Sequence, residues 1–265
     1  MFINNLNPVF IDIGFLEIRW YSLAYIFGLI FAIIYSKFLI RKLKLNFNIN
    51  IIDNFIPYSI IGIILGGRLG YVLFYNPIYY LENYSEIFKI WQGGMSFHGG
   101  LIGIIIVSIM FCNKNKINFL NFSDILSVLT PCGLFLGRVA NFINSELIGR
   151  PAELPWSVVF IRVDNVPRHP SQIYEAILEG IVLFIILNIV FKNKYLKKGI
   201  TSAFFLILYG IFRLIAEQFR EPDNHLGFII FNLSLGSILS VLMLIFGLIM
   251  YNRLKWIQID LQKIK

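Results

Sequence analysis

Residues 229–252, IIFNLSLGSILSVLMLIFGLIMYN, run for 24 positions without a charged side chain. A helix of about 20 apolar residues is long enough to cross the hydrocarbon core of a bilayer. The rest of the chain shares this character, because 57% of its 265 residues are hydrophobic and only 14% are charged. Soluble domains carry about a quarter charged residues. The composition therefore argues against a soluble enzyme, a disordered chain and a nucleic-acid-binding protein, and it predicts a membrane protein.

Apolar runs of this length recur along the chain and predict seven transmembrane helices. The predicted spans are residues 20–40, 54–76, 96–113, 123–145, 170–191, 199–220 and 229–252. The expected fold class is an all-α polytopic membrane protein, with one integral membrane domain over residues 1–265. Residues 77–95 mix aromatic, apolar and charged side chains, which is typical of an interfacial helix. Residues 146–169 contain β-favouring and proline residues and predict a small extracytoplasmic cap with one hairpin.

The basic residues are unevenly distributed over the segments that connect these spans. Twelve of the 13 lysines lie in or beside every second connection or at the C-terminal end, and the net charge of +8 comes from this side. Cytoplasmic loops of membrane proteins carry the excess of lysine and arginine. The pattern predicts an extracytoplasmic N-terminus and a cytoplasmic C-terminus. Because topology accounts for the positive charge, no nucleic-acid partner is expected.

The ionisable residues within the predicted spans lie in one layer. Arg138 and Arg213 are about 7 residues, and Arg68 about 8, from the predicted outer ends of their helices, which is roughly 10–12 Å at ~1.5 Å per residue. Charges inside a bilayer are costly and are functional candidates by default. A permeation path requires polar groups at several depths, whereas the predicted inner halves carry almost none. The layer indicates a site that opens to the outer leaflet.

Arginines at the depth of lipid headgroups are suited to a phosphate, because a guanidinium binds it bidentately and stays charged. His98 begins the third predicted span and is followed by Gly99, which makes it a candidate general base near neutral pH. The sequence offers no Asp, Glu, His or Cys cluster with the spacing of a metal site, so neither a metal nor a cofactor is expected. The residues alone thus indicate an enzyme or binder of an anionic lipid headgroup.

Four motifs, in this order, carry a resemblance to a known family. They are GGMSFHGGLIG (93–103), GRVANFINSELIGR (137–150), RHPSQIYE (168–175) and YGIFRLIAEQFREPD (209–223). From Trp20 to the seventh span the chain resembles the bacterial prolipoprotein diacylglyceryl transferases. The resemblance implies an enzyme of the bacterial cytoplasmic (inner) membrane that moves the sn-1,2-diacylglyceryl group of phosphatidylglycerol to the lipobox cysteine of a prolipoprotein. A thioether forms and glycerol 1-phosphate leaves.

The resemblance also implies roles for individual residues. His98 would deprotonate or orient the acceptor thiol, whose pKa of ~8.5 leaves it mostly protonated at neutral pH. Arg138 and Arg213 would stabilise the charge that builds on the departing phosphate. The expected catalytic set is His98, Arg138 and Arg213, and the expected substrate-binding residues are Tyr21, Gly99, Arg138, Asn141, Glu146, Gly149 and Glu217. Glu146 and Glu217 would position the arginines. The expected partners are phosphatidylglycerol, lipobox prolipoproteins and membrane lipid.

Several of these residues also have a structural interpretation. Arg213 and Glu217 are spaced i, i+4 and suit a helical ion pair. For Arg68 the structural interpretation is favoured: it snorkels or pairs with Glu175 or Glu179. These two glutamates are interpreted as structural partners and not as catalytic acids. Gly99 also suits close helix packing.

Three other functions compete with lipid transfer. A transporter or flippase of anionic solutes would show inverted repeats and broken helices near the midplane, which the sequence does not indicate. An intramembrane hydrolase would need an activated serine or a metal, and Ser96 is the only tempting serine. A lipid-binding scaffold explains the arginines but not His98 beside its glycines.

Overall fold

The computed structural model describes residues 2–14, 17–74, 77–89, 93–194, 197–222, 228–230 and 233–263. The protein is mostly helical. The helices are α1 (Trp20–Leu43), α2 (Ile51–Phe74), α3 (Pro77–Glu82), a 3-10 helix (Tyr84–Phe88), α4 (Phe97–Lys114), α5 (Phe119–Asn144), α6 (Ser171–Glu175), a π-helix (Ala176–Val182), α7 (Leu183–Lys194), α8 (Ile200–Glu217) and α9 (Leu235–Lys263). The segment from α6 through the π-helix to α7 is continuous.

In the described part of the chain, seven short strands add three small sheets to the expected all-α class. The strands are β1 (Phe2–Asn4), β2 (Val9–Asp12), β3 (Glu17–Arg19), β4 (Val158–Phe160), β5 (Pro167–Arg168), β6 (Phe228–Ile230) and β7 (Leu233–Ser234). β4 pairs antiparallel with β5 and parallel with β1, while β2–β3 and β6–β7 form two antiparallel pairs. The hairpin predicted within residues 146–169 is therefore confirmed.

Among the described residues, six helices are long and apolar enough to cross a membrane. They are Trp20–Leu43, Ile51–Phe74, Phe119–Asn144, Ser171–Asn193, Ile200–Glu217 and Gly236–Lys255. The apolar stretch Gly99–Lys114 of α4, at the third predicted span, is shorter. Length and composition thus support a multi-pass membrane protein, with six of the seven predicted spans meeting both criteria.

Two predicted helix boundaries differ from the structure for local reasons. The predicted interfacial helix over residues 77–95 is divided into α3 and the 3-10 helix, which are separated at Asn83, whose φ of −130° and ψ of 64° are not helical. The last span was predicted to begin at residue 229, but α9 begins at Leu235 because β6 and β7 precede it. Residues 90–92 and 231–232 lie outside the described residues.

Helix α5 also begins earlier than predicted, at Phe119 and not at residue 123. The side chain of Asn118 accepts a hydrogen bond from the backbone N–H of Asn121 (3.2 Å), which is the pattern of an N-cap. Asp124, the second residue of the span predicted over 123–145, consequently lies more than one turn inside α5 and is buried. Its carboxylate accepts from the backbone N–H groups of Gly199 (2.7 Å) and Ser202 (2.8 Å). Because Gly199 and Ser202 lie at the N-terminus of α8, where a negative charge is favourable, the Asp124 carboxylate joins α5 to α8.

The chain divides into two compact units: the first comprises Met1–Tyr35 and Ser123–Lys265, and the second Ser36–Phe122. In the first unit the three-stranded sheet lies at the C-terminal end of α5, because the buried Asn4 donates from Nδ2 to the carbonyl of Phe142 (2.6 Å). Farther along the helices, the Tyr35 hydroxyl of α1 donates to Asn188 of α7. The ends of α5 and α8 and the sheet thus form one framework.

In the second unit, α2 and α4 make direct backbone contact through glycines. Gly62 and Gly66 are four residues apart on α2, and Gly99 and Gly103 are four apart on α4. A Cβ at Gly99 would clash with the carbonyl oxygen of Gly66, and a Cβ at Gly103 with that of Gly62. Small residues with this spacing allow membrane helices to pack closely. The packing interpretation of Gly99 is therefore supported, and its role in binding stays a prediction.

The glycine contact predicts unequal effects of the same substitution at two positions of α4. Gly103→Ala places a methyl group against the backbone of Gly62 and should lower the free energy of unfolding by about 1–3 kcal/mol. Gly100→Ala is the matched control, because the nearest atom to its Cβ is 3.6 Å away. Thermal unfolding of the purified protein in detergent checks this. Equal midpoints for the two variants would contradict the described packing.

Candidate active site

A cluster of ionisable side chains is buried in the first unit, at the ends of three apolar helical segments. Its arginines are Arg138 on α5, Arg213 on α8 and Arg220 just after α8; its glutamates are Glu175 at the end of α6, Glu179 in the π-helix and Glu217 on α8. Charged groups in apolar surroundings are stable only when they are paired and hydrogen-bonded. The contacts within the cluster therefore determine what the arginines are free to do.

Glu175 lies at the centre of this cluster. One of its oxygens, Oε2, is 2.7 Å from Nε of Arg138 and 2.8 Å from Nη1 of Arg213. The other oxygen, Oε1, is 3.8 Å from Nη1 of Arg220. The glutamate side chain is only 1% exposed. A single buried carboxylate thus brings together arginines from two separate helices and from the segment that follows α8.

Two further glutamates complete the pairing. Glu179 lies 3.4 Å from Nη2 of Arg138 and 3.7 Å from Nη1 of Arg213. Nη2 of Arg213 is 2.6 Å from Glu217, whose other oxygen accepts a hydrogen bond from the hydroxyl of Ser234 (2.6 Å). The prediction that Glu217 positions an arginine is therefore confirmed. Glu175 and Glu179 have the structural role that the sequence suggested.

The π-helix explains how both glutamates reach Arg138. Its turns are wider than those of an α-helix, and such segments are frequent at functional sites. Gly180 lies in it, and a Cβ there would come within 2.6 Å of Cβ and 3.0 Å of Cα of Phe135 on α5. The missing side chain lets the π-helix approach α5 three residues before Arg138. This close approach places Arg138 against Glu175 and Glu179.

Arg138 is the arginine best placed to meet a ligand. The cluster holds three arginines and three glutamates and is formally neutral. The Arg138 side chain is 15% exposed, compared with 10% for Arg213 and 9% for Arg220. Nη2 of Arg138 donates to Glu179, whereas Nη1 donates no hydrogen bond within the part of the chain that the structure describes. This nitrogen is a charged donor that remains available to an anion.

Asn141 and Glu146 form a second polar group in the first unit, and Tyr21 lies at the start of α1. Nδ2 of Asn141 donates to Glu146 (3.0 Å), and Nδ2 of Asn144 donates to its other oxygen (3.3 Å). The Tyr21 ring meets that of Tyr25 edge to face at 5.2 Å. The prediction that Glu146 positions an arginine is wrong, because the chain turns after α5 and directs its carboxylate to these asparagines.

Gly149 lies where two backbone segments meet. It forms a bridge with Arg220, and a Cβ on it would clash with the carbonyl oxygen of His169. Its carbonyl accepts a hydrogen bond from Nη1 of Arg168 (3.1 Å). Arg168 also donates a hydrogen bond to Asp164 (2.5 Å), and this bond lowers the pKa of the Asp164 carboxyl. Gly149 thus lets the segment after α5 pack against the segment after α8, and its role in substrate binding stays a prediction.

The second unit contains the remaining candidates, His98 and Gly99. They are the second and third residues of α4, whose N-terminus is capped by Ser96: its hydroxyl accepts from the backbone N–H of Gly99 (3.2 Å). The buried Ser96 thus has a structural role as a helix cap. The side chain of His98 lies outside the described residues, so its role as a base stays a prediction.

Arg68 has the structural role that was favoured for it, although its partners differ from those expected. Its guanidinium donates to the carbonyl oxygens of Glu86 (2.5 Å), Ile87 (2.8 Å) and Gly93 (2.6 Å). The pairing with Glu175 or Glu179 that the sequence suggested is wrong, because these main-chain carbonyls occupy Nε, Nη1 and Nη2. Arg68 thereby fixes the connection between the 3-10 helix and α4.

Sequence reasoning underestimated the importance of Glu175 and Arg220. Both lie in the sequence motifs that carry the family resemblance. The i, i+4 spacing pairs Arg213 with Glu217 on one helix, but such spacing cannot identify a partner on another helix. The available signal was the recurrence of glutamates at 175 and 179 in an apolar run. Two carboxylates four residues apart in a membrane helix require positive partners from elsewhere.

The chain is similar in sequence to known proteins. A family model described as prolipoprotein diacylglyceryl transferase matches residues 8–253. A protein of Rickettsia typhi named phosphatidylglycerol–prolipoprotein diacylglyceryl transferase is 50% identical over 256 residues, which cover 96% of this chain and 99% of the relative. Proteins of the same name from Rickettsia akari and Rickettsia felis are each 51% identical over 245 residues, or 92% of this chain and 95% of theirs.

The central position of Glu175 predicts a large loss of stability on removal of its charge. Glu175→Gln leaves Arg138 and Arg213 without their shared counter-charge and should cost about 3–5 kcal/mol, the usual effect of breaking a buried ion pair. Glu153→Gln, at an exposed position, is the matched control. Denaturation of both variants in the same detergent gives the comparison. A Glu175→Gln protein as stable as the control would show that the arginines do not depend on this carboxylate.

Proposed function

The chain belongs to the prolipoprotein diacylglyceryl transferase family, and we propose that it moves the sn-1,2-diacylglyceryl group of phosphatidylglycerol to the lipobox cysteine thiol of a prolipoprotein. The names of its relatives, which are about 50% identical over nearly the whole chain, support this reaction. The enzyme is a transferase of lipoprotein maturation. The observation that carries the assignment to this site is the convergence of Arg138 and Arg213 on Glu175.

The reaction balances without a cofactor. The cysteine sulfur forms a bond to the glyceryl carbon that carries the phosphate ester, and the bond between this carbon and the phosphate oxygen breaks. Glycerol 1-phosphate leaves with the bonding electrons, and the thiol proton passes to a base. The product is a thioether. The difficult points are thus formation of a thiolate and stabilisation of negative charge on the leaving group.

Arg138 and Arg213 serve the leaving group. Arg138 offers Nη1 to the phosphate, while Nε and Nη2 remain on Glu175 and Glu179. Arg213, held by Glu175 and Glu217, provides a second positive charge in the same layer. Because both side chains are already fixed by buried carboxylates, they need little reorganisation as charge develops on the phosphate. Such preorganised electrostatics is often the largest single contribution to catalysis.

His98 is the base of the proposed mechanism. A histidine titrates near neutral pH and so suits removal of a thiol proton. Tyr21, Asn141 and Glu146 contact the headgroup or the acceptor, with Glu146 orienting Asn141 through the hydrogen bond of 3.0 Å. Gly99 and Gly149 permit close approach of substrate to the backbone. The hairpin of residues 146–169 belongs to a cap that admits the prolipoprotein.

The proposed topology places this chemistry at the outer leaflet of the bacterial inner membrane. Arg138 is six residues from the C-terminal end of α5 and Arg213 is four from that of α8, or about 9 Å and 6 Å along the helix axes. These ends lie opposite the lysine-rich connections, which the positive-inside rule assigns to the cytoplasm. When α4 is counted as a span, the chain crosses the membrane seven times, so the N-terminus is extracytoplasmic and the C-terminus cytoplasmic. The 3-10 helix and α3 lie in the interface.

A transfer assay with purified protein tests the proposal. The protein receives phosphatidylglycerol labelled in its diacylglyceryl group and a lipobox peptide, and mass spectrometry measures thioether and glycerol 1-phosphate. Both products should form in equal amounts and only when the peptide is present. Arg138→Ala should lower kcat about 10²–10³-fold, the usual effect of removing a donor to a developing anion. Arg19→Ala is the matched control, because that arginine is 60% exposed.

Two further results decide between interpretations. Arg138→Lys keeps the positive charge but loses the planar guanidinium with its paired N–H donors. Its activity should therefore lie between that of Arg138→Ala and that of the wild type. A folded wild-type protein that makes no thioether with a competent lipid and peptide would contradict the transferase assignment. Release of glycerol 1-phosphate without peptide would instead indicate a hydrolase of the same lipid.

A further inference from the structure

A cavity of about 410 Å³ lies in the first unit beside the ion cluster, and none of the steps above uses it. Its lining comes from the segment between α5 and α6, from the helical segment that runs from α6 into the π-helix, and from the residues just after α8. The lining residues are Leu154, Trp156, His169, Tyr174, Ile177, Leu178 and Phe219. Its volume lies within the range of small-molecule sites. The cavity is open at one side, where Trp156 and Ile177 are exposed.

The lining is apolar because its polar tips are paired with one another. Nε1 of Trp156 donates to the hydroxyl of Tyr174 (2.8 Å), and this hydroxyl is 3.2 Å from Nδ1 of His169. Burial lowers the pKa of His169, which favours its neutral ring. The rings of His169 and Tyr174 also stack edge to face on Phe219. The three polar side chains therefore present their ring surfaces to the cavity.

The cavity lining adjoins the ion cluster along two chain segments. Tyr174 of the cavity precedes Glu175 of the cluster, and Phe219 of the cavity precedes Arg220. The helical segment begins at Ser171. Glu175 of the cluster is four residues, or about 6 Å, along the helix axis from this start, and Leu178 of the cavity is seven residues, or about 10 Å. The cavity thus extends from the level of the arginines about one turn farther into the apolar part of the helix.

From these observations we propose that this cavity binds an acyl chain of the diacyl phospholipid whose phosphate Arg138 holds. The proposal rests on the proposed function for the identity of that lipid. A hydrocarbon chain has no polar group to satisfy and gains free energy in proportion to the apolar surface it buries. A peptide in the same place would need partners for its backbone N–H and C=O groups, and this lining offers almost none. The chemistry therefore favours lipid over the acceptor peptide.

Two isoleucines of the π-helix provide a matched pair of variants. Ile177 and Ile181 are each 45% exposed, but only Ile177 lines the cavity. Ile177→Trp should fill the space that the acyl chain occupies. It should raise KM for dihexadecanoyl phosphatidylglycerol about tenfold, which corresponds to excluding roughly two methylene groups from burial. With dihexanoyl phosphatidylglycerol, whose chains are short, kcat/KM should change less than about twofold. Ile181→Trp should leave both donors unaffected.

A second measurement does not depend on turnover. Phosphatidylglycerol with a photoreactive diazirine in one acyl chain is reconstituted with the protein, and the labelled peptides are identified by mass spectrometry. Label should appear on segments 154–156, 174–178 or 219, and it should fall in Ile177→Trp but not in Ile181→Trp. If the wild type makes no thioether while this pattern holds, the proposed function fails and the acyl-chain site stands.

The opposite outcomes overturn the proposal. Ile177→Trp that raises KM only for the lipobox peptide would assign the cavity to the acceptor. Equal effects on the long-chain and short-chain donors would show that the substitution acts through the ion cluster. Labelling that is the same in both tryptophan variants would show that the acyl chain touches only the outer surface.

Discussion

The buried carboxylate of Glu175 is the interaction on which the rest of the first unit depends. Its Oε2 lies 2.7 Å from Arg138 and 2.8 Å from Arg213, and these arginines come from different helices. In apolar surroundings neither arginine is stable without a counter-charge, and the carboxylate is equally unstable without them. The cluster therefore holds α5, α6 and α8 in one arrangement. The same arrangement fixes the two guanidinium groups that the proposed reaction uses.

Several local features serve this arrangement. The absence of a side chain at Gly180 lets the π-helix approach α5, and Gly149 lets the segments after α5 and α8 meet. At the opposite end of α5, Asp124 joins it to the N-terminus of α8. The sheet is anchored to α5 by Asn4. Each contact restricts the ends of α5 and α8, so the positions of Arg138 and Arg213 follow from the framework and not from their own side chains.

The sequence predicts the helices well because their apolar character is continuous over a membrane's thickness. The boundaries are less predictable, since Asn118 and the β6–β7 hairpin act through local hydrogen bonds that periodicity does not detect. Arg138 and Arg213 are recognisable as candidates because charge inside a span is rare. Their shared partner Glu175 is not, because a contact between helices depends on the packing of distant segments. The partner of Glu146 is unpredictable for the same reason, because the turn after α5 directs its carboxylate to Asn141 and not to an arginine.

The most direct test of this account is whether the guanidinium of Arg138 contacts the lipid phosphate. Solid-state NMR of protein with 15N-labelled arginine, reconstituted with phosphatidylglycerol, measures dipolar coupling between guanidinium nitrogen and 31P. We expect a coupled resonance in the wild type that disappears in Arg138→Lys and persists in Arg19→Lys, as a direct hydrogen bond to phosphate requires. Identical coupling in the wild type and Arg138→Lys would contradict the account, because the cluster around Glu175 would then have only a structural role.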